Sequence, residues 1–375
     1  MARVLIVGAG LTGSLCACLL RRELQSKVRV AVWDKARGAG GRMSTSRPPP
    51  EASSHSADLG AQYITATPAY AQSHHSFYTE LLSAGVLQPL DCPIEGLRQR
   101  DGSTDYVTPR GTGSLVKHFL SQSGSHAPFP PATSLLVWIE FHLLVSLSSG
   151  ADVFLEHHVT ALYRRGASWE VERKSGGSET FDAVVLTMPV PQILQLQGDL
   201  GNLLSVQQKQ QLDAVRFSSR FALALFFPPG AVFSFSWAAK YVSDSSCIRY
   251  IAVDDRKRGA DTSACGPALV VHTSVPFGEE HLEQDKEDVQ PIILQELHRL
   301  LPDLPQPVSI KCQKWRYSQV LTSVPDCPGH MTVLEQPPLV CGGDAFCHSN
   351  FDGCVESALS VLGALKASLA NQPGS

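Results

Sequence analysis

Residues 4–13 read VLIVGAGLTG, a run of aliphatic residues followed by glycines at positions 8, 10 and 13. The aliphatic run is typical of a buried parallel strand, and the apolar residues from Leu11 to Leu24 predict a helix directly after the glycines. Residues 28–33 predict a second strand, which ends at Asp34. A strand, a helix and a strand of this combined length match one half of a dinucleotide-binding sheet.

Each residue of this motif has a physical role. Gly8 permits the tight turn, Gly10 lets the main chain approach a pyrophosphate, and Gly13 allows close packing of the helix. The helix N-terminus then faces the phosphates with unpaired N–H groups. Asp34 follows Gly13 by about 20 residues, the spacing at which a carboxylate binds ribose hydroxyls. The motif predicts a dinucleotide site; a tight glycine turn without function is the alternative.

Two later segments favour FAD over NAD. At residues 40–42, GGR, the glycines bring main chain near the pyrophosphate, and Arg42 can bind a phosphate oxygen through its planar fork. An exposed arginine on a surface loop is the alternative. At residues 341–344, CGGD, Gly343 and Asp344 follow a short apolar strand. This glycine turn after a strand is the second in the sequence, and it suits the ribityl-flavin end of a long FAD. Helix capping by Asp344 is the alternative.

Composition excludes several other classes of protein. The net charge of −4 gives no positive field for nucleic acid. The apolar run at residues 135–147 is too short to span a bilayer, so no stable membrane insertion is expected. The ten cysteines show no CxxC spacing, so neither a metal site nor a redox pair is expected. Buried or free thiols favour a reducing compartment.

Outside the motifs, the pattern of residues predicts several helices. Thr67 and Pro68 suit an N-cap and a first helical residue, so one helix is expected to run into the low eighties. Residues 279–301 predict another helix. A last amphipathic helix is predicted over about residues 351–369.

The motifs together resemble the monoamine-oxidase-like FAD superfamily, and their combination is specific to one branch of it. They are, in order, GAGLTG at 8–13, WDK at 33–35, GGRM at 40–43, DLGAQYIT at 58–65, VVLTMPVPQILQLQGDL at 184–200, KCQKWR at 311–316 and GGDAFCHSNFDGC at 342–354. The resemblance covers residues 1 to about 124 and 151 to about 370.

The resemblance implies an α/β fold, in which a Rossmann-like FAD-binding lobe is interleaved with a substrate lobe built on an antiparallel sheet, as in monoamine oxidase and p-hydroxybenzoate hydroxylase. On this basis the FAD-binding domain is expected to comprise residues 1–90, 112–190 and 330–375. The substrate domain is expected to comprise residues 91–111 and 191–329.

The resemblance also implies the cofactor contacts. Thr12, Arg42, Gln62 and Tyr63 correspond to FAD-contacting positions. Val159 is similar to the residue whose main chain meets the adenine. Asp344 matches an acidic residue near the C-terminal end of the family pattern. Gly41 and Gly343, which lie next to Arg42 and Asp344, are also expected to bind FAD. The Ser-Gly-Gly-Cys segment that tethers flavin in monoamine oxidases does not occur here, so the FAD is expected to be non-covalent.

The branch of the superfamily that shares these motifs implies a reaction. Its substrates are isomeric dihydronicotinamides, namely 2- and 6-dihydro-NAD(P) and α-NAD(P)H. Hydride passes to flavin N5, O₂ takes the electrons to form hydrogen peroxide, and β-NAD(P)⁺ is released. Two alternatives stay open: a catecholamine-oxidising amine oxidase, and a secreted signalling protein that acts independently of its flavin.

The flavin carries this chemistry, so no catalytic acid or base is expected among the side chains. Trp315 is placed near the flavin by the resemblance and could stack on a nicotinamide ring, while His272 could bind a carboxamide. Trp237 and Tyr241 are further pocket candidates, and Arg249 is a candidate for a substrate phosphate. Each has a competing interpretation as a core or surface residue.

Residues 125–150 depart from the family pattern. Without them a short helix-to-strand connection of ordinary length remains. We interpret the segment as a translated retained intron, poorly ordered and without an active-site residue; a partner-binding or membrane-associating hairpin is the alternative. The cysteine pattern and the lack of a cleavable signal favour a cytoplasmic location, whereas the resemblance leaves secretion open. Protein partners are not indicated.

Overall fold

The computed structural model describes residues 1–50, 53–98, 101–122, 151–261 and 264–370. The chain forms two compact units, each assembled from separate stretches of sequence. The first unit contains Met1–Gly41, Val116–Arg216 and Val320–Ser375, and the second contains Arg42–Leu115 and Phe217–Gln319. The segment at residues 125–150, interpreted above as a retained intron, lies outside the described residues.

Strands make up much of both units. They are β1 (Ala2–Val7), β2 (Val28–Trp33), β3 (Thr45–Ser46), β4 (Ala57–Asp58), β5 (Ile64–Ala66), β6 (Gln88–Pro89), β7 (Ile94–Glu95), β8 (Thr104–Val107), β9 (Asp152–Phe154), β10 (Val159–Arg165), β11 (Ser168–Arg173), β12 (Ser178–Phe181), β13 (Ala183–Leu186), β14 (Gln197–Gly198), β15 (Arg216–Phe217), β16 (Arg220–Phe226), β17 (Ala239–Tyr241), β18 (Ile248–Val253), β19 (Ala268–Thr273), β20 (Ser309–Trp315), β21 (Val320–Thr322), β22 (His330–Leu334) and β23 (Leu339–Gly342).

The α-helices connect these strands. They are α1 (Leu11–Leu24), α2 (Pro68–Ser73), α3 (His75–Ser83), α4 (Gly113–Gln122), α5 (Val190–Ile193), α6 (Leu200–Leu203), α7 (Val206–Asp213), α8 (Asp254–Arg258), α9 (Val275–Glu280), α10 (Lys286–Leu300) and α11 (Phe351–Ala370).

A six-stranded sheet lies at the centre of the first unit, in the order β22-β23-β13-β1-β2-β9. All of these strands are parallel except β22, which runs antiparallel to β23. Residues 4–7 and 183–186 are buried along their whole length. Burial on both faces explains the continuous aliphatic runs in the sequence. A second, smaller sheet has the order β12-β11-β10-β14.

The second unit contains a six-stranded sheet in the order β20-β16-β19-β18-β17-β7. It is antiparallel apart from the pairing of β7 with β17. The odd-numbered residues of β16, such as Phe221 and Leu223, join one apolar cluster with Ile293 and Leu297 of α10. Ala222 and other small residues occupy the opposite face. Side chains alternate between the faces of a strand, so helix α10 covers only one of them.

Residues 42–90 pack differently from the division expected from the sequence, which grouped them with the FAD-binding domain. They belong by packing to the second unit. The physical reason lies in polar contacts: the Asp58 N–H donates to Asp254 Oδ2 over 2.6 Å, and the Trp315 indole N–H donates to the Leu59 carbonyl over 2.7 Å. The ligand that each domain binds stays a prediction.

Two helices expected to be continuous are interrupted. The helix predicted from Pro68 into the low eighties is divided into α2 and α3, with His74 between them at a non-helical φ of −110° and ψ of 25°. The helix predicted over residues 279–301 is divided into α9 and α10. A turn after His281 separates them, and Asp285 in extended geometry starts α10. Neither break contains a proline or a glycine, so the sequence carries no helix-ending signal at either place.

A buried ionic cluster lies in the second unit and consists of Asp58, Asp254, Lys257 and Arg258. The Lys257 ammonium lies 2.7 Å from Asp254 Oδ1, and the Arg258 guanidinium pairs with both Asp58 and Asp254. Their side chains are at most 4% exposed. Burial disfavours the Asp254 carboxylate, but Lys257 and Arg258 outweigh it and hold its pKa below the ordinary value.

No helix in the described part of the chain combines the length and apolar character needed to cross a membrane.

Replacing Asp254 with asparagine should destabilise the protein strongly. The substitution leaves Lys257 and Arg258 buried with one carboxylate fewer, a change that typically costs about 3–5 kcal/mol. Urea unfolding at pH 7 would measure the loss. The control is Asp213→Asn, which breaks the half-exposed pair with Lys209 and should cost about 0.5 kcal/mol or less. Equal small losses in both variants would contradict the prediction.

Candidate functional site

Four segments of the first unit end at one edge of its parallel sheet. Gly8 follows β1, Asp34 follows β2, Thr187 follows β13 and Gly343 follows β23. The carboxyl ends of parallel strands share an edge, which is where ligands of such sheets bind. A Cβ atom built on Gly8 would lie 2.6 Å from Thr187 Oγ1, and one built on Gly343 would lie 3.6 Å from the Thr187 carbonyl. The early and late glycine junctions are therefore neighbours.

The glycine turn has the geometry of a phosphate cradle. Gly8 has a φ of +115°, which disfavours any residue with a side chain. A Cβ at Gly13 would lie 1.9 Å from the Gly8 carbonyl oxygen, so this glycine is required for the helix to pack on the turn. A Cβ at Gly10 would meet no atom within 4 Å. Gly10 is therefore not needed for packing, and its backbone is open to approach.

Helix α1 starts directly after this turn. Gly10 is its N-cap and has no side chain to cap the first N–H groups, and the first turn contains no acidic residue. Thr12 is buried in that turn. The N-terminus of this 14-residue helix, which is its positive end, is therefore available to bind an external anion.

The Asp34 carboxylate is held beside the glycine turn. It accepts hydrogen bonds from the Ala9 N–H over 2.7 Å and the Ala36 N–H over 2.8 Å. The Asp34 carbonyl accepts from the His157 N–H, two residues before Val159 at the start of β10. The structure thus brings Asp34 and the segment leading to Val159 together. Their contacts with ribose and adenine stay predictions.

The GGR segment also packs against the turn. The Gly40 N–H donates to the Ala9 carbonyl over 2.8 Å, and a Cβ at Gly41 would lie 3.5 Å from the Gly10 Cα. Arg42, the next residue, belongs to the second unit. Its guanidinium donates to the Ser318 carbonyl over 3.2 Å and lies 5.9 Å from the centre of the Phe217 ring. A phosphate contact for Arg42 stays a prediction.

At the late junction, Asp344 begins a single turn of 3₁₀ helix after Gly343, which has a φ of +124°. The Asp344 side chain is buried and accepts a hydrogen bond from the Ser349 hydroxyl over 2.6 Å. The Gly343 N–H donates to the Ser357 hydroxyl over 2.8 Å. Asp344 is therefore held by a local turn.

Sequence reasoning missed Thr187. Its hydroxyl lies 3.0 Å from the Val7 carbonyl and 3.3 Å from the Gly8 carbonyl, so it supports the glycine turn from the neighbouring strand. The available signal was a polar residue directly after the buried run at residues 183–186, at a strand's carboxyl end.

In the second unit, one row of side chains crosses five strands on the sheet face that α10 does not cover. Directly paired residues share a face, so the register places its members side by side. From β20 to β17 they are Gln313, Ala222, His272, Tyr250 and Tyr241. Of the predicted pocket residues, His272 and Tyr241 thus lie on one surface.

Gln62 connects this row to the buried ionic cluster. The Lys257 ammonium donates to Gln62 Oε1 over 2.8 Å. An ammonium can only donate, which fixes the amide with its nitrogen on the other side, 3.2 Å from His272 Nε2. The same amide nitrogen donates to the Asp58 carbonyl over 2.5 Å and to the Gly60 carbonyl over 3.1 Å, so the Gln62 amide lies between these carbonyls and a neutral His272 ring.

The surroundings of His272 agree with this neutral state. Burial, then the positive charges of Arg220 and Lys257, lower the pKa of His272 to about 3. The ring therefore stays uncharged across the physiological range.

Tyr63 reaches the same row. Its hydroxyl lies 2.6 Å from the Tyr241 hydroxyl, and the Tyr241 ring lies 5.0 Å from the Tyr250 ring. Burial, followed by the charge of Asp254, raises the pKa of Tyr250 well above its ordinary value. The row thus presents aromatic surface, and the Tyr250 hydroxyl stays protonated.

The remaining pocket candidates separate into two groups. Trp315 pairs with Arg220 across β20 and β16 and so lies on the same face as His272. Arg249 lies 5.6 Å from the centre of the Tyr241 ring. Trp237 does not join them: it stacks on Phe235 at 4.0 Å and packs against the apolar cluster of the opposite face.

Lys257 is the second functional candidate that sequence reasoning missed. It lies in DDRKR, residues 254–258, which has the composition of an exposed charged turn, yet Lys257 is only 2% exposed. Among the described residues no cluster of potential metal ligands occurs. None of the ten cysteines, all of which lie in the described ranges, forms a disulfide.

Comparison with known proteins identifies the family. A model of NAD(P)-binding Rossmann-like domains matches residues 6–81, and one of flavin-containing amine oxidoreductases matches residues 142–361. Mouse renalase is 47% identical over 98% of this chain and 99% of its own. The chain belongs to the renalase family.

Solved structures support the fold class predicted from the sequence. A putative protoporphyrinogen oxidase from Exiguobacterium matches with a TM-score of 0.69 at 13% identity, over 98% of this chain and 99% of its own. A putrescine oxidase matches with a TM-score of 0.61 at 16% identity over the same shares. The Rossmann-like α/β fold of the renalase family is thereby confirmed, and the protein is an FAD-dependent oxidoreductase.

The first unit of this renalase-family chain fits the cofactor. The open space over Gly10, the uncapped start of α1 and the nearby Asp34 carboxylate together suit the pyrophosphate and ribose of FAD.

Alanine substitutions at two glycines should separate cofactor binding from folding. Gly10→Ala places its methyl group in open space, so the apoprotein should keep its melting temperature while FAD affinity falls. Gly13→Ala places a methyl group against the Gly8 carbonyl, so the apoprotein itself should melt earlier. Thermal melts of the apoproteins and FAD titration would measure both effects. Equal melting losses would contradict this assignment.

His272 should make stability depend on pH. An unfolded histidine has a pKa of about 6.5, whereas His272 has one of about 3. Between these values the unfolded chain binds a proton that the folded chain does not, so this contribution is complete above about pH 6.5 and declines as the pH falls. His272→Gln should reduce the drop in melting temperature between pH 7.5 and 5. Exposed His75→Gln is the control, and identical pH profiles for both variants would contradict the prediction.

Proposed function

We propose that this protein oxidises isomeric dihydronicotinamides, namely 2- and 6-dihydro-NAD(P) and α-NAD(P)H, and releases β-NAD(P)⁺ and hydrogen peroxide. FAD, when bound, supplies hydride acceptance and electron transfer to O₂. The cofactor contacts proposed for this chain are Gly8, Gly10, Thr12, Gly13, Asp34, Gly41, Arg42, Gln62, Tyr63, Val159, Gly343 and Asp344.

One observation carries the choice of substrate: neither His272 nor Tyr250, at the centre of the row on the sheet face, changes its protonation state near neutral pH. The pKa of His272 is lowered to about 3, and that of Tyr250 is raised well above its ordinary value. Loss of hydride from a dihydropyridine leaves a stable aromatic cation and needs no base. Amine oxidation, in contrast, requires the nitrogen of a protonated amine to lose a proton.

The shape and polarity of the row support the same substrate. Tyr241, Tyr250 and Trp315 offer flat, uncharged surface to a planar ring. The Gln62 amide and the neutral His272 ring, fixed by Lys257, offer polar groups of defined orientation to a carboxamide. These residues position a ring and exclude water, while none of them is a catalytic acid or base.

We also infer a reducing compartment, since none of the ten cysteines, all within the described ranges, forms a disulfide.

Anaerobic rapid mixing would test the reaction. The FAD-loaded protein, mixed with 6-dihydro-NAD, should lose its oxidised-flavin absorbance rapidly, whereas a catecholamine should leave it unchanged. His272→Gln keeps an uncharged, hydrogen-bonding side chain and should slow the reduction by about 10-fold or less, the cost of one misplaced polar contact. Bleaching by the amine alone would favour the amine-oxidase alternative.

A further inference from the structure

Arg220 and Arg249 reach the same face of the antiparallel sheet by different routes. Arg220 lies two residues before Ala222 on β16, and alternate residues of a strand share a face. It therefore lies on the side of His272 and is paired with Trp315.

Arg249 reaches this face because of a β-bulge. The register shifts between Ile248, opposite Thr273, and Tyr250, opposite His272, so Arg249 is the extra residue of β18. A bulge redirects a side chain that regular alternation would send to the other face. The Arg249 guanidinium accordingly lies 5.6 Å from the ring centre of Tyr241, a member of the His272 row.

The two guanidinium groups lack acidic partners. Arg220 donates to the Thr273 carbonyl over 3.1 Å, and Arg249 donates to the Val242 carbonyl over 3.0 Å. Neither forms an ion pair with a carboxylate in the described ranges. In the same unit, Arg258 pairs with two carboxylates and Arg316 with one.

Electrostatics shows that the two charges lie close enough to repel each other. Burial, and next the charge of Arg249, lower the pKa of half-buried Arg220. Bringing two like charges together without a counter-charge is unfavourable, and an anion between them would remove the repulsion. Paired guanidinium forks suit the oxygens of a phosphate group.

We propose that Arg220 and Arg249 form a subsite for a phosphate group of the nicotinamide nucleotide substrate. This inference rests on the proposed function for the identity of the nucleotide. The bulge brings Arg249 to the face that carries Arg220, and the neighbouring row of uncharged groups would receive the ring. Arg249, considered from the sequence for a phosphate, thus gains a partner that the sequence did not indicate.

The test compares substrates that differ only in phosphate content. They are the 6-dihydro forms of nicotinamide riboside, nicotinamide mononucleotide, NAD and NADP. In Arg220→Gln and Arg249→Gln, KM for the phosphate-bearing substrates should rise about 10- to 100-fold, as for the loss of a charged hydrogen bond. KM for the riboside should rise far less than KM for the phosphate-bearing substrates, and continued turnover of the riboside shows that the variants fold. In Arg220→Lys and Arg249→Lys, KM for the phosphate-bearing substrates should rise less, because the lysine keeps a positive charge at the same position.

The substrate series also identifies the phosphate. If KM in the glutamine variants already rises for the mononucleotide, the arginine pair binds the 5′-phosphate. If KM rises only for the NADP form, the pair binds the 2′-phosphate. Arg299→Gln removes a charge from α10, where Arg299 pairs with Glu296, and should leave every KM unchanged. A riboside KM that rises as much as the others, or no increase at all, would overturn the subsite.

Calorimetry with inorganic pyrophosphate on the FAD-loaded protein separates this inference from the proposed function. If the wild type oxidises none of the four substrates, the proposed function fails. The subsite is still supported if pyrophosphate binds the wild type and binds both glutamine variants about 10-fold or more weakly. Equal binding to the wild type and the variants would overturn it.

Discussion

The Asp254 carboxylate connects Lys257, Arg258 and the main chain of Asp58 inside the second unit. Three residues of the loop that follows Asp58 make polar contacts with the sheet: Leu59 with Trp315, Gln62 with His272 and Tyr63 with Tyr241. Two members of the row, His272 and Tyr241, are therefore linked through this loop to charges that are buried. Burial makes the cluster costly to break, since each member depends on its partners to offset lost hydration.

The cluster also contributes to the protonation state of the candidate substrate surface. Lys257 can only donate, so it fixes the orientation of the Gln62 amide, whose nitrogen faces His272. Positive charge on Lys257 and Arg220 adds to burial and keeps the ring neutral. A surface whose His272 and Tyr250 side chains keep their protonation state suits the proposed hydride loss from a dihydropyridine, and the arginine pair would supply charge for the phosphate of the proposed nucleotide substrate.

Cofactor recognition in the first unit follows a different constraint, the convergence of parallel strands at one edge. Gly8, Asp34, Thr187 and Gly343 are far apart in sequence but each follows a strand of one sheet. Three of these four positions were predicted, because glycine turns and an acid at a strand end leave recognisable patterns. Thr187 was missed because one threonine after an apolar run has no pattern of its own.

The sequence by itself determined the elements whose signal is local: the strand, turn and helix at residues 2–24, the strand ending at Asp34, and the family motifs that imply FAD. Tertiary structure alone decided where charged residues lie. Composition gives DDRKR the character of an exposed turn, yet strand pairing buries Lys257 and Arg258 among carboxylates distant in sequence. The bulge that turns Arg249 toward Tyr241 likewise depends on the register between β18 and β19. Register and burial arise from contacts between distant segments, which local sequence patterns do not encode.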